Sequence, residues 1–168
     1  MSKEKTKVLS FYEDTEERNK EVLRRFQHEV INKKNYSISV LRQYIKDDII
    51  DHGIPRPGVI DCHAPFADYV GIDGLQQRFE IFSTSFGDAQ EEDAYAIADG
   101  DHVAMRYVLR GHHTGDFMGL GATNGYFAMN GLEMIRFEDG KMAEHWGVYD
   151  MLSMLLQLGF QIIPPSKK

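Results

Sequence analysis

Hydrophobic positions change their spacing once along this chain. Up to about residue 86 they recur at helical intervals, and from residue 88 they alternate, the period of a half-buried strand. Val22, Phe26 and Val30 stand at i, i+4 and i+8 behind a capping-box pattern, Asp14 with Glu17. This predicts a first helix ending near Asn32, where Lys33-Lys34-Asn35 breaks the pattern. Leu41, Tyr44 and Ile45 make the apolar face of a shorter helix over 39–45, and residues 47–53 read as a brief extended piece. Residues 53–71 carry Pro55, Pro57 and Pro65 and form the longest irregular stretch. It reads as a lid or binding loop, or equally as a surface insertion. Asp73 with Gln76 offers a second capping box, and Leu75, Phe79, Phe82 and Phe86 place a third helix over 74–86. Its aromatic stripe suits packing against a sheet, or else stacking on a flat ligand.

The alternating half predicts strands at 90–99, 103–110, 126–137 and 141–149, with a glycine-rich loop before the third. Asp150 is a potential N-cap for a last helix from Met151 to Leu158, stopped by Gly159. Helices first and an antiparallel meander afterwards is an α+β order. A curved sheet wrapped around a helix pair leaves a pocket between the two layers. Residues 1–13 read as a flexible arm, 14–160 as a single domain and 161–168 as a tail.

Chemistry concentrates in Gly131–Asp150, a hairpin around Glu138-Asp139-Gly140. Its register decides what it presents, because a one-residue slip turns a strand over. A two-residue turn at Asp139-Gly140 sets Glu133 opposite Trp146 and His145 opposite Met134. A three-residue loop sets Glu133 opposite His145 and Arg136 opposite Met142. The three-residue reading is preferred, because it gathers Leu132, Met134, Met142, Trp146 and Val148 on one face and leaves Glu133 beside His145 on the other. Such a pair either supplies acid and base in a pocket or is an exposed cross-strand ion pair.

Composition narrows the partners. The 168 residues carry a net charge of −7 and show no basic stripe, which disfavours nucleic acid and anionic membrane. A lone cysteine, Cys62, excludes an internal disulfide and paired-cysteine zinc sites. The N-terminus lacks the apolar run of a signal peptide and no stretch is long enough to span a bilayer, so the expected location is cytoplasmic. His112-His113 invites a metal reading with His52, His63, Asp51, Asp61 or Cys62, but adjacent strand residues point to opposite faces. No metal is expected.

Several short stretches, in this order and spacing, resemble the SnoaL-like polyketide cyclase (ester cyclase) family. They are Asp48-Ile49-Ile50-Asp51-His52, Gly71-Ile72-Asp73-Gly74-Leu75, Gly100-Asp101-His102-Val103, Gly111-His112-His113-Thr114-Gly115-Asp116-Phe117-Met118-Gly119, Arg136-Phe137-Glu138-Asp139-Gly140-Lys141, Glu144-His145-Trp146 and Gln157-Leu158-Gly159. The likeness runs over about residues 18–160. It implies a cystatin-like α+β cone, a curved antiparallel sheet wrapped around N-terminal helices with an internal pocket, commonly as a homodimer. It also implies intramolecular aldol ring closure without metal or organic cofactor. In the family an aspartate after the Glu-Asp-Gly-type turn is the acid/base group, with a histidine on the preceding strand. Counted from Gly140, those positions fall on Gly147 and Glu133, and Gly121-Ala122-Thr123-Asn124 stands where the family has Pro-Pro-Thr-Gly. The standard machinery is therefore not carried over.

Glu133, His145, His113 and His52 are the candidate catalytic residues that remain, and Phe79, Met129, Trp146, Tyr149 and Asp150 the candidate pocket residues. The expected ligand is a small hydrophobic carbonyl compound. It would be bound by a cyclase-like or isomerase-like enzyme or by a non-catalytic binder; a structural dimerisation module is the third class.

Overall fold

The computed structural model describes residues 3–52, 69–117, 119–161 and 163. Helix α1 (Lys3–Phe26) opens the chain and ends in one π turn, Gln27–Ile31. The expected start at Asp14 is corrected: the segment KEKTKVLSFYEDTEERNKEVLRRF holds no Gly or Pro and is rich in Lys, Glu and Arg. Nothing in it halts a helix, so residues 3–13, expected as an arm, continue α1. Helix α2 (Ile38–Leu41) stops short of the expected span because Ile45 opens strand β1 (Ile45–His52). Strand β2 (Tyr69–Val70) and helix α3 (Ile72–Ser85) follow. The second capping box does not form. Gly71, at φ 81°, is the N-cap without a side-chain bond, and Gln76 donates instead to the Tyr36 carbonyl at 2.9 Å. Most of the proline-rich 53–71 stretch lies outside the described residues.

Strands β3 (Gln90–Asp99), β4 (His102–His112), β5 (Tyr126–Glu138) and β6 (Lys141–Tyr149) fall where alternation predicts them, and helix α4 (Met151–Gln157) follows. Asp150 caps α4, its carboxylate accepting from Ser153 N at 3.1 Å. The six-stranded sheet has the order β2-β1-β6-β5-β4-β3. It is mixed rather than wholly antiparallel, because β1 lies parallel to β6. The chain between those strands is long enough for the crossover that parallel pairing needs, which a hairpin cannot supply.

The architecture is α+β, with the curved sheet closing on the N-terminal helices. Leu23, Phe26 and Val30 of the first helical segment and Leu75 of α3 pack with Val103, Met105, Phe127, Met129 and Ile135 of the sheet. Helical and strand periodicities thus meet in one core, and the candidate site lies within it.

Candidate functional site

The hairpin takes neither expected register throughout. Asp139 and Gly140 both have positive φ, 53° and 76°, the pair of values a type I′ two-residue turn requires. Accordingly Glu138 faces Lys141 and Phe137 faces Met142. A bulge at Ala143 then shifts β6 by one residue, so Ile135 faces His145, Met134 faces Trp146 and Glu133 faces Gly147. Met142 and His145 are three residues apart, and a regular strand would send them to opposite faces. The extra residue turns both inward. Met142 therefore parts from Trp146 and Val148, which with Leu132 and Met134 form the outer face. Glu133 and His145 share the inner face as diagonal neighbours.

Four charged side chains converge there. His145 Nδ1 lies 2.6 Å from Asp51 Oδ1 and its Nε2 lies 3.5 Å from Glu133 Oε1. Arg78 Nη1 pairs with Asp51, and Arg78 Nη2 donates to the Tyr149 hydroxyl at 3.0 Å. Tyr149 and Tyr107 in turn donate to Glu133 Oε1 at 3.0 and 2.7 Å. Oε1 is thus crowded with donors, whereas Oε2 takes no hydrogen bond among the described residues. Two anions and two cations balance, so the group avoids the large cost of a net buried charge.

Each protonation state has a cause. Burial would push Asp51 up, but the His145 hydrogen bond and the Arg78 charge hold it below its ordinary value. Burial likewise opposes ionisation of Glu133, and the His145 charge and the hydrogen bonds from His145 and Tyr107 outweigh it. Burial pulls His145 down, yet the Glu133 charge and the Asp51 hydrogen bond raise it to about 9. At neutral pH the site holds two carboxylates and an imidazolium. Both tyrosines are raised, first by burial and then by the Glu133 charge, and remain neutral donors.

The group borders a cavity of about 140 Å³, the scale of cavities that hold one aromatic ring. Phe26, Phe79, Phe82, Phe86, Phe117 and Met129 supply much of its apolar wall. Glu133, His145, Tyr149, Phe79 and Met129 therefore all reach the cavity. The other proposed site residues do not. His52 stands on the outer face, stacked on Trp146 at 4.7 Å between ring centres and bonded to Glu144 at 3.1 Å. Inward-facing Asp51 forces its neighbour out, by strand alternation. His113 is buried against Phe86 and accepts through Nδ1 from Thr123 N at 3.3 Å, which makes it a loop anchor. Asp150 is spent on its cap. His112 pairs with Asp88 at 2.7 Å on the surface. Among the described residues no cluster of His, Cys, Asp or Glu could hold a metal ion.

Sequence reasoning passed over Arg78 and Tyr107 and weighed Asp51 only as a metal ligand. The signal for Arg78 was its place on the Leu75–Phe79–Phe82 stripe, a charge on an otherwise apolar helical face. Tyr107 shares the parity of Val103, Met105 and Leu109, a hydroxyl among core positions. Asp51 follows Ile49 by two, on the buried parity of β1.

Two glycines make room for the tyrosines. A Cβ on Gly131 would meet the Tyr107 ring at 2.5 Å, and one on Gly147 would meet the Tyr149 hydroxyl at 2.4 Å. At 147 a side chain and the Tyr149–Glu133 hydrogen bond exclude each other. Gly147→Asp is expected to expel the Tyr149 ring and destabilise the protein by about 1–3 kcal/mol, as overpacking does. Urea denaturation checks this; unchanged stability would show that Tyr149 yields without cost.

The family model described as SnoaL-like polyketide cyclase matches residues 21–158. No curated protein matches the chain. Among solved structures it is similar to IdmH of Streptomyces antibioticus, a candidate polyketide cyclase. The identity is 30% and the TM-score 0.70, over 84% of this chain and 99% of that one. A candidate polyketide cyclase of Acidithiobacillus ferrooxidans is 25% identical with a TM-score of 0.69, over 84% of this chain and 94% of that one. AclR of Streptomyces galilaeus, a candidate hydroxylase, is also 25% identical, with a TM-score of 0.67 over 84% and 95% of the two chains.

Proposed function

The chain belongs to the SnoaL-like polyketide cyclase family, and from that premise we propose that it is a cofactor-free acid–base enzyme acting on a small hydrophobic carbonyl compound. One observation carries the reading: a carboxylate, Glu133, and an imidazolium, His145, border an apolar cavity, with one Glu133 oxygen unbonded among the described residues. Glu133 Oε2 takes a proton from the carbon next to the carbonyl, and His145 Nε2–H stabilises the oxygen that becomes negative. The enolate carbon then attacks a second carbonyl of the same molecule, which closes a ring; the new alkoxide takes the proton of His145, and Glu133 passes the proton it holds back to the imidazole. With no second carbonyl in reach, return of the proton at another carbon gives an isomerisation. Asp51 and Arg78 orient the imidazole and keep it charged. Tyr107 and Tyr149 pin Oε1. The acid–base role that the family resemblance assigns to the position of Gly147 falls in this proposal to Glu133 and His145.

The test is to incubate the purified protein with a panel of monocyclic and acyclic ketones and diketones and to follow products by mass spectrometry and deuterium exchange. Ring closure, a double-bond shift or exchange at the α-carbon supports the reading. Saturable binding with no exchange and no product identifies a non-catalytic binder instead.

The reading includes a homodimer. Tyr95, Ile97, Leu132, Met134 and Val148 are exposed on the outer face of the sheet, an apolar surface of the kind a second copy covers. Light scattering coupled to gel filtration is expected to give twice the chain mass for the wild type and the monomer mass for Leu132→Glu/Val148→Glu. A monomeric wild type rules the dimer out.

A further inference from the structure

A second polar group borders the cavity, on the wall built by the first helical segment and β3, and the chemistry above does not use it. Gln27 opens the π turn, is 8% exposed and lines the cavity. Its Nε2 has no hydrogen-bond partner among the described residues. Beside it Glu91 projects from β3 into the same cavity, its carboxyl close enough to the Gln27 amide for that amide to favour the carboxylate. The backbone around the pair is fixed. Asn32 bridges the two elements, Oδ1 accepting from Glu91 N at 2.8 Å and Nδ2 donating to the Glu91 carbonyl at 3.0 Å. Nearby Lys34 is committed elsewhere, donating to the Ala89 carbonyl and, at 3.3 Å, to that of Ile31. A buried donor without a partner costs free energy that an incoming acceptor recovers, and π turns recur at functional sites.

We propose that Gln27 and Glu91 form an oxygen-binding subsite, so that the ligand of the Glu133–His145 site is a cyclic or aromatic ketone carrying a second carbonyl or hydroxyl oxygen. Burial and the Glu133 charge push Glu91 up to about 8, so at neutral pH it is mainly a carboxylic acid and can donate. Two donors then converge on one acceptor. Strands β3 and β5 are two places apart in the sheet, roughly 10 Å between backbones, a span that the facing side chains shorten to the scale of a single substituted ring. A ligand without the second oxygen leaves the Gln27 amide no acceptor at hydrogen-bond distance among the described residues, which is how such sites reject close analogues. The inference rests on the reading that the cavity takes a carbonyl compound.

Calorimetric titration with acetophenone and 4-hydroxyacetophenone tests both. The wild type is expected to bind the hydroxylated ketone about tenfold more tightly, the contribution of one ordinary net hydrogen bond. Gln27→Met and Glu91→Met, close in volume, are expected to erase that preference while changing affinity for the plain ketone by less than about twofold. Glu91→Gln, which keeps a donor, is expected to retain it. Equal wild-type affinities, or a preference that survives both methionine variants, overturn the subsite and leave the carbonyl reading standing. Absence of binding by either ketone overturns both. The wild-type ratio decides the question alone should a variant fail to fold.

Discussion

Glu133→Gln is expected to slow turnover of any carbonyl substrate that the wild type converts by about 10²–10⁴-fold, the usual worth of a positioned acid–base group. Glutamine keeps the volume, and its carbonyl oxygen can still accept from the Tyr107 and Tyr149 hydroxyls that hold Oε1 at 2.7 and 3.0 Å. What it cannot do is take a proton from carbon. The loss should therefore fall on kcat, with KM changed little, since the removed interaction belongs to the transition state. Tyr107→Phe tests the pinning role separately: it leaves the carboxylate in place and removes one donor, and is expected to cost much less. The wild-type rate should hold across neutral pH and fall as pH rises through about 9, where the imidazolium loses its proton. Steady-state kinetics over pH checks both statements, and undiminished turnover by Glu133→Gln removes Glu133 from the chemistry.

Most of the fold was legible because it rests on local signals. The switch from helical to alternating spacing near residue 88 located β3 to β6, and the Asp150 cap located α4. The helix termini were harder. The capping-box patterns at Asp14 and Asp73 are only permissive, and uninterrupted helix formers or a positive-φ glycine overrode them. The site was half legible. Glu133 and His145 could be set on one face from the hairpin, with Leu132, Met134, Trp146 and Val148 on the other, but Met142 was placed on the wrong one. The reason is the bulge at Ala143, an insertion into β6 that no residue type advertises and that turns Met142 and His145 to one side. His52 and Trp146 illustrate the same limit: each is attractive by residue type, and strand parity puts both outside. Arg78 was missed, and Asp51 weighed only as a metal ligand, for a different reason. Their partners stand on other elements, and only the parallel β1–β6 pairing, which sets Asp51 beside His145, brings them together.

Removing the Asp51 carboxylate is expected to be the most damaging single change to stability. Asp51 is 1% exposed and meets both cations of the buried group. Asp51→Ala strands Arg78 and His145 beside a cavity with only Glu133 to balance them, and breaking a buried pair in this way costs about 3–5 kcal/mol. For a chain of this length that lowers Tm by roughly 10 °C. Asp51→Asn keeps one acceptor for the imidazole and should lose less. The pH dependence carries the sign. His145 is raised from 6.5 to about 9 in the folded state, so its contribution is complete below about 6.5 and fades as pH climbs through 9. Asp51 is lowered from 3.8, so its contribution is present above that value and fades as pH falls through its lower folded value. The gap between wild type and Asp51→Asn should accordingly be widest between about pH 4 and 6.5 and narrow toward pH 9. It does not close there, because the Arg78 charge persists. Denaturation curves for both proteins at pH 5, 7 and 9 decide the matter. A gap that is constant across that range would mean that Asp51 acts through Arg78 alone and that His145 is neutral in the folded protein.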